Sequence, residues 1–197
     1  MVYAECIYCF TTKPNDEYIM KTITLHNKTF EVFITETEIS AIVHSMANQI
    51  NNSGVKNPLF IAVLNGSFLF AADIMRKITI SNAEISFIKL ASYSGTKTTG
   101  EVNELIGLGQ SIKNRNIVIL EDIIDTGITL EKIISLLEKE EVADIKVATL
   151  LFKPEAYHKE IEIDFIGKSI ANDFVVGYGL DYDEIGRNLP HIYKLKE

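Results

Sequence analysis

The sequence predicts an α/β fold in which helices flank a central, mostly parallel sheet. Three observations lead there. Ile117-Val118-Ile119-Leu120 is an uninterrupted apolar run, the pattern of a strand buried on both faces. It passes through Glu121-Asp122 and a small-residue turn, Asp125-Thr126-Gly127-Ile128-Thr129, into Leu130, Ile133, Ile134 and Leu137 at helical spacing. Further strands and helices alternate along the chain, which implies parallel pairing with right-handed crossovers.

The elements follow in order. Thr35-Glu36-Thr37-Glu38 is a capping box, and Ile39, Ile42, Val43, Met46, Ala47 and Ile50 form a helical stripe ended by Asn51-Asn52-Ser53-Gly54. Leu59 to Leu64 is a short apolar strand. Asn65-Gly66-Ser67 turns into a helix through Ala71, Ala72, Ile74 and Met75, and Ile85 to Leu90 is the next strand. Residues 91–112 are polar, rich in Gly, Ser and Thr and poor in apolar anchors; a loop of that length in a compact domain is usually functional. Strand 117–121, helix 127–139, strand 146–152 and strand 174–177 complete the pattern.

The segment 121–129 carries chemistry. It lies at the carboxyl end of a predicted parallel strand, where open α/β sheets bind ligands. Thr126, Gly127 and Thr129 offer amides and hydroxyls at a helix start, a favourable place for one phosphate. Glu121 and Asp122 would repel an anion, and two adjacent carboxylates after four aliphatics are uneconomical as a solvated strand end. They make sense as holders of sugar hydroxyls, with Mg²⁺ between them. Asp125 opens the helix and reads as its N-cap. One phosphate, a diol and a cation describe a ribose 5-phosphate. No Gly-x-x-x-x-Gly-Lys-Ser/Thr loop for a nucleoside triphosphate occurs anywhere.

Composition narrows the classes further. The chain has 197 residues, 47% of them hydrophobic, enough for one domain with a sizeable core. A net charge of −8 argues against sequence-independent nucleic-acid binding, which needs basic surface. No segment reaches the ~20 apolar residues of a membrane-spanning helix. The N-terminus lacks a basic start and carries Glu5 inside its apolar stretch, so it does not read as a signal peptide, and a cytoplasmic protein is expected. Cys6 and Cys9 form a Cys-x-x-Cys without a second pair or a preceding strand, and read as incidental. Residues 1–19 are expected to be a flexible extension, with the domain spanning 20–197. The four histidines are scattered and read as structural or solvated.

Val118 to Leu130 resembles the phosphoribosyl-pyrophosphate motif of type I phosphoribosyltransferases, and Glu121-Asp122-Ile123-Ile124-Asp125-Thr126-Gly127 resembles their hypoxanthine–guanine branch. Leu64-Asn65-Gly66-Ser67 resembles the family's pyrophosphate loop, Ser92-Tyr93-Ser94-Gly95-Thr96 its mobile loop, and Phe174 to Tyr182 its purine-binding segment. The four segments stand in the family's order, and the match covers about residues 20–197. The resemblance implies the type I fold, with a small hood built from the N- and C-terminal segments.

It also implies roles. Asp125 would take the proton of the purine imidazole, and Lys153 would donate to the exocyclic oxygen of a 6-oxopurine; a lysine only donates, so it suits an oxo group and not adenine's amino group. Phe174 would stack on the base and Val175 would present backbone groups to its edge. Asp181 would contact Mg²⁺ and pyrophosphate, and Arg187 would clamp pyrophosphate. Ser92 and Tyr93 would close over the site, and a cis peptide is expected at Leu64–Asn65. Tyr178 and Tyr182 are expected to be packing residues. The chain departs from the pattern at Asn65 and Ile128, where relatives carry Lys, so its anions rely more on amides and hydroxyls. The activity implied joins a 6-oxopurine to phosphoribosyl pyrophosphate with Mg²⁺, in a dimer or tetramer. Two other readings stay open: a ligand-sensing regulator of the same fold, and an enzyme preferring xanthine.

Overall fold

The computed structural model describes residues 21–90, 104–106 and 111–196. The expected extension 1–19, with Cys6 and Cys9, and the expected mobile loop 91–102, with Ser92 and Tyr93, lie outside the described residues. The chain opens with β1 (Thr22–Leu25) and β2 (Lys28–Ile34), followed by α1 (Glu36–Asn52), β3 (Pro58–Val63), α2 (Phe68–Met75) and β4 (Glu84–Leu90). Then come β5 (Glu104–Ile106), β6 (Asn116–Ile124), α3 (Ile128–Lys139), β7 (Asp144–Phe152), β8 (Phe165–Ser169), β9 (Val175–Val176) and β10 (Ile192–Leu195).

Two sheets result. The main sheet has the order β5-β4-β3-β6-β7-β8; β4, β3, β6, β7 and β8 run parallel and β5 pairs antiparallel with β4. The second sheet, β1-β2-β10-β9, is antiparallel and joins the two ends of the chain, as the expected hood requires.

The apolar runs explain the layering. Along β3 and β6, alternate residues serve opposite faces. Phe60, Ala62, Val118 and Leu120 pack into the core that holds α1 and α2, while Leu59, Ile61, Ile117 and Ile119 pack into the core that holds α3. A strand covered on both faces has no polar alternation to show. The capping box forms as read: the Thr35 amide donates to Glu38 Oε2 at 2.8 Å, and the Glu38 amide donates to Thr35 Oγ1 at 3.3 Å. Buried His191 accepts from the Glu36 amide at 2.9 Å through Nδ1, so this histidine is structural.

Three expectations need correction. Strand 117–121 extends to Asn116–Ile124, because β7 pairs with it as far as Ile124↔Phe152. Helix 127–139 starts at Ile128, with Gly127 as its N-cap in the left-handed region at φ 78°. The stretch 91–112, expected to be loop throughout, contains β5, whose backbone is taken up by the edge of β4, and Ile112 is buried in the α3 core. Among the described residues, no helix is long and apolar enough to cross a membrane.

Candidate active site

Parallel strands end on the same side, so β3, β6 and β7 deliver the segments after Val63, Ile124 and Phe152 to one rim. From β3 comes the turn Leu64–Ser67, with a cis peptide at Leu64–Asn65. Its donors are unequally available. The Leu64 amide donates to Ile88 O at 2.9 Å, and buried Ser67 gives both its amide and its hydroxyl to Val63 O, the hydroxyl at 2.6 Å. The amides of Asn65 and Gly66 donate to no group among the described residues. Of the four positions expected to meet pyrophosphate, these two present the usable backbone donors, and Ser67 serves to hold the turn.

The acid pair is divided. Glu121 shares the parity of Ile117 and Ile119, Asp122 that of Val118 and Leu120, so consecutive side chains leave β6 on opposite faces. Glu121 is 5% exposed, and burial, with the charge of Asp122 beside it, raises its carboxyl well above the ordinary value. Asp122 is pushed up to about 6, first by burial and also by nearby Asp181; the backbone amides of Ile123 and Asp122 and the charge of Arg187 partly offset this. Asp122 lies against the pyrophosphate turn, where a Cβ on Gly66 would overlap its Oδ2. Glycine at position 66 lets the carboxylate approach this closely; a side chain there would displace it.

Beyond β6, Thr126, Ile128 and Thr129 are exposed around buried Gly127. The first intrahelical bond runs from the Glu131 amide to Gly127 O at 3.0 Å, so the amides before it have no acceptor within the helix and face the rim. Gly127 is backed by Tyr157: a Cβ there would come within 2.5 Å of the ring and 2.9 Å of Lys159 Cγ. Asp125 does not cap α3, whose N-cap makes no side-chain bond. A cation takes its carboxylate instead: Lys153 Nζ donates to Asp125 Oδ2 at 2.8 Å. Lys153 is buried, which makes the charge-assisted pair the stronger claim on that carboxylate.

The hood faces this rim. Val175 is buried in β9 and paired with Lys194, while Phe174, just before it, is 42% exposed. The Phe174 ring meets Tyr182 edge-on, centroids 5.6 Å apart, and Lys28 Nζ lies 5.5 Å from its centroid. Asp181 and Arg187 pair at 2.7 Å, and Arg187 also donates to Gly179 O at 2.9 Å. Tyr178 donates to Asp73 Oδ2 at 2.7 Å, tying the hood loop to α2. Lys28, Tyr157 and the Tyr178–Asp73 pair escaped sequence reasoning. Positions 178 and 73 are 105 residues apart and leave no local pattern.

The predicted residues therefore converge on one rim and its hood: Leu64–Ser67, Glu121, Asp122, Asp125–Thr129, Lys153, Phe174, Val175, Asp181 and Arg187. The arrangement offers free amides at two turns, carboxylates between them, a lysine–aspartate pair and an exposed ring opposite. Such a site can hold two anionic groups and a planar heterocycle at once.

Comparison with known proteins agrees with this geometry. The model of the phosphoribosyl transferase domain matches residues 34–183. A hypoxanthine-guanine phosphoribosyltransferase of Staphylococcus aureus is 41% identical over 174 residues, covering 87% of this chain and 97% of the relative. The crystal structure of a hypoxanthine phosphoribosyltransferase from Staphylococcus aureus superimposes with a TM-score of 0.77 at 40% identity, covering 84% of this chain and 91% of that one. A hypoxanthine-guanine phosphoribosyltransferase from Bacillus anthracis, with HEPES in its active site, gives a TM-score of 0.76 at 36% identity, over 85% and 97% of the two chains.

Proposed function

This chain belongs to the phosphoribosyltransferase family, in its hypoxanthine–guanine branch, and we propose that it transfers the 5-phosphoribosyl group of phosphoribosyl pyrophosphate to hypoxanthine and guanine. The products are the purine nucleoside monophosphate and pyrophosphate. The observation that carries the choice of base is the Lys153–Asp125 pair. A 6-oxopurine in its N7–H tautomer presents its exocyclic oxygen as an acceptor and N7–H as a donor on one edge, leaving N9 to form the new bond. Lys153 donates to the oxygen and Asp125 accepts from the imidazole nitrogen, so one base edge meets both members of an existing ion pair.

The reaction breaks the bond from the anomeric carbon to a pyrophosphate oxygen and forms the bond to a purine nitrogen. The proton released by the base passes to Asp125. The amides of Thr126 to Thr129 take the 5′-phosphate, with Gly127 allowing close approach. The amides of Asn65 and Gly66, with Arg187, take the pyrophosphate. Phe174 stacks on the base over backbone groups of Val175, and residues 91–102, with Ser92 and Tyr93, exclude water. Fixing both substrates in line supplies several kcal/mol of the acceleration, and oriented amides and Arg187 stabilise the departing charge.

The carboxylates fit Mg²⁺. Among the described residues, no cluster of three or more potential ligands forms an all-protein cage. Mg²⁺ usually binds through one or two carboxylates plus substrate oxygens and keeps several waters. Asp122, whose carboxyl burial raises, and Asp181 near it across the rim are the oxygen donors that would hold the ion together with the substrate; Glu121, expected to share it, is buried and leaves β6 on the opposite face. When bound, the ion supplies positive charge to the pyrophosphate. A dimer or tetramer is in keeping with exposed Phe68, Ile85 and Phe87, and a cytoplasmic location with the enzyme's soluble substrates. The test is a spectrophotometric assay with phosphoribosyl pyrophosphate, Mg²⁺ and each of hypoxanthine, guanine, xanthine and adenine. Turnover of hypoxanthine and guanine is expected, and turnover of adenine or xanthine alone would overturn the reading.

A further inference from the structure

The hood loop between β9 and β10 rests on the pyrophosphate turn at two points. A Cβ on Gly179, at φ 100°, would overlap Gly66 O, so the two backbones touch there and only glycine fits. One residue earlier, Tyr178 passes its ring into the α1–α2 core at 6% exposure and donates to Asp73 Oδ2 at 2.7 Å. Asp73 lies on α2, the helix that opens immediately after Ser67. Burial, together with the hydrogen bond to Asp73 and that residue's charge, holds the phenol well above its ordinary value, so it stays protonated and donating. Tyr178 keeps this geometry at φ 49°, an uncommon conformation for a non-glycine residue.

The two ends of the hood are held differently. Val175 and Val176 are fixed by pairing with β10, so Phe174 is placed by the sheet. Asp181 and Arg187 hang on the loop after Tyr178, tied by bonds within the loop: the Gly179 amide to Arg187 O at 2.9 Å, Arg187 to Gly179 O, and the Glu184 amide to Asp181 Oδ2 at 2.8 Å. Such a loop is self-consistent but could shift as a unit. Its side-chain bolt to the pyrophosphate side of the molecule is the Tyr178–Asp73 hydrogen bond. Resting on the assignment of Asp181 and Arg187 to the pyrophosphate end, the geometry points to Tyr178 as a positioning residue. Through Asp73 it sets the distance between Arg187 and the amides of Asn65 and Gly66, and hence the fit of the pyrophosphate group, without touching substrate.

The test is steady-state kinetics of the full chain with hypoxanthine, phosphoribosyl pyrophosphate and Mg²⁺, for Tyr178→Phe, Asp73→Ala and Asp73→Asn. Tyr178→Phe keeps the ring and loses the donor; Asp73→Asn keeps an acceptor. The expected result is a KM for phosphoribosyl pyrophosphate raised about tenfold in Tyr178→Phe and Asp73→Ala, a hypoxanthine KM within twofold of wild type, and recovery of most of the loss in Asp73→Asn. In the double variant Tyr178→Phe/Asp73→Ala the two effects should not add, because they remove one bond. Equal rises in both KM values accompanied by a lower melting temperature would mean that the bond is only structural. Unchanged kinetics in an active Tyr178→Phe would overturn the positioning role alone. A wild-type chain that binds phosphoribosyl pyrophosphate in calorimetry but turns over no purine would overturn the proposed function. The calorimetric affinity of Tyr178→Phe would then decide the positioning role by itself.

Discussion

The rim and the hood face one another across the site, but they are built to different standards. The rim stands on β3, β6 and β7, whose residues are buried on both faces in two large cores. The hood stands on a small antiparallel sheet whose core is Phe30, Val176 and Tyr193. Rim groups are fixed by strand ends and helix starts. The hood presents an exposed ring, Phe174, and an Arg187–Asp181 pair carried on a loop. In the proposed reading the half that must not move holds the sugar phosphate and the hydrogen-bonding edge of the base, while the half with less beneath it supplies the stacking ring and the pyrophosphate clamp and can admit the substrates. Substitutions in the rim should therefore cost catalysis, and substitutions reaching the hood should cost binding and selectivity.

The largest expected effect is at the rim. Asp125→Asn removes the proton acceptor while leaving an oxygen that Lys153 can still reach. Turnover should fall ~10²–10⁴-fold, the usual contribution of a general acid–base group, with affinity for phosphoribosyl pyrophosphate nearly unchanged in calorimetry. A turnover number equal to wild type would remove Asp125 from the chemistry. Next comes Gly127→Ala. The new Cβ would press on the Tyr157 ring in a left-handed backbone at φ 78°, a combination costing roughly 1–3 kcal/mol. Loss of kcat/KM for the phosphoribosyl donor should exceed tenfold, and Gly127→Ala/Tyr157→Ala should recover part of it by relieving the contact. No recovery would show that the backbone angle alone decides.

Lys153→Ala separates the halves. It removes a charge-assisted donor worth about 1.5–3 kcal/mol, so the hypoxanthine KM should rise roughly 10–100-fold while the donor substrate still binds. A variant with equal loss for both substrates would place Lys153 in the rim's framework and not in base choice.

Legibility in the sequence divides along the same line. The apolar runs of β3 and β6, the Thr35–Glu38 box and the stripe of α1 were readable because each is written within one element. Of the two readings of Asp125, the cap fails: its carboxylate is taken by Lys153, 28 residues away, a partner that no local pattern reveals. β8 was passed over: Gly167 breaks its short pattern, yet a Cβ there would press on Leu150 O and on Ile42 of α1, so the residue that obscured the strand is what lets the helix pack on it. Of the hood strands β1 alternates in exposure but β2 does not, and β2 gains its place only from pairing with β10, at the far end of the chain. The family resemblance supplied the site residues; their partners came from the fold.

The smallest expected effect concerns Asp122, where both halves press on one carboxylate. With its value pushed up to about 6, Asp122 is mostly ionised at pH 7 and mostly protonated at pH 5. A proton and Mg²⁺ compete for the same oxygens, so apparent Mg²⁺ affinity in the presence of phosphoribosyl pyrophosphate should fall about tenfold from pH 7 to pH 5. Stability runs the other way. The unfolded carboxyl titrates near 3.9, so between about 4 and 6 the folded chain binds more protons than the unfolded one. The contribution of Asp122 is thus most favourable at low pH and is lost as pH rises through about 6. Asp122→Asn, which cannot ionise, should melt higher than wild type at pH 7, by roughly 1–3 kcal/mol of stability, with the difference shrinking toward pH 4. Melting curves of the two proteins without substrate across that range decide it. A variant less stable than wild type at pH 7 would mean that Asp122 is held by favourable contacts, and that the strain placed here on the junction of rim and hood lies elsewhere.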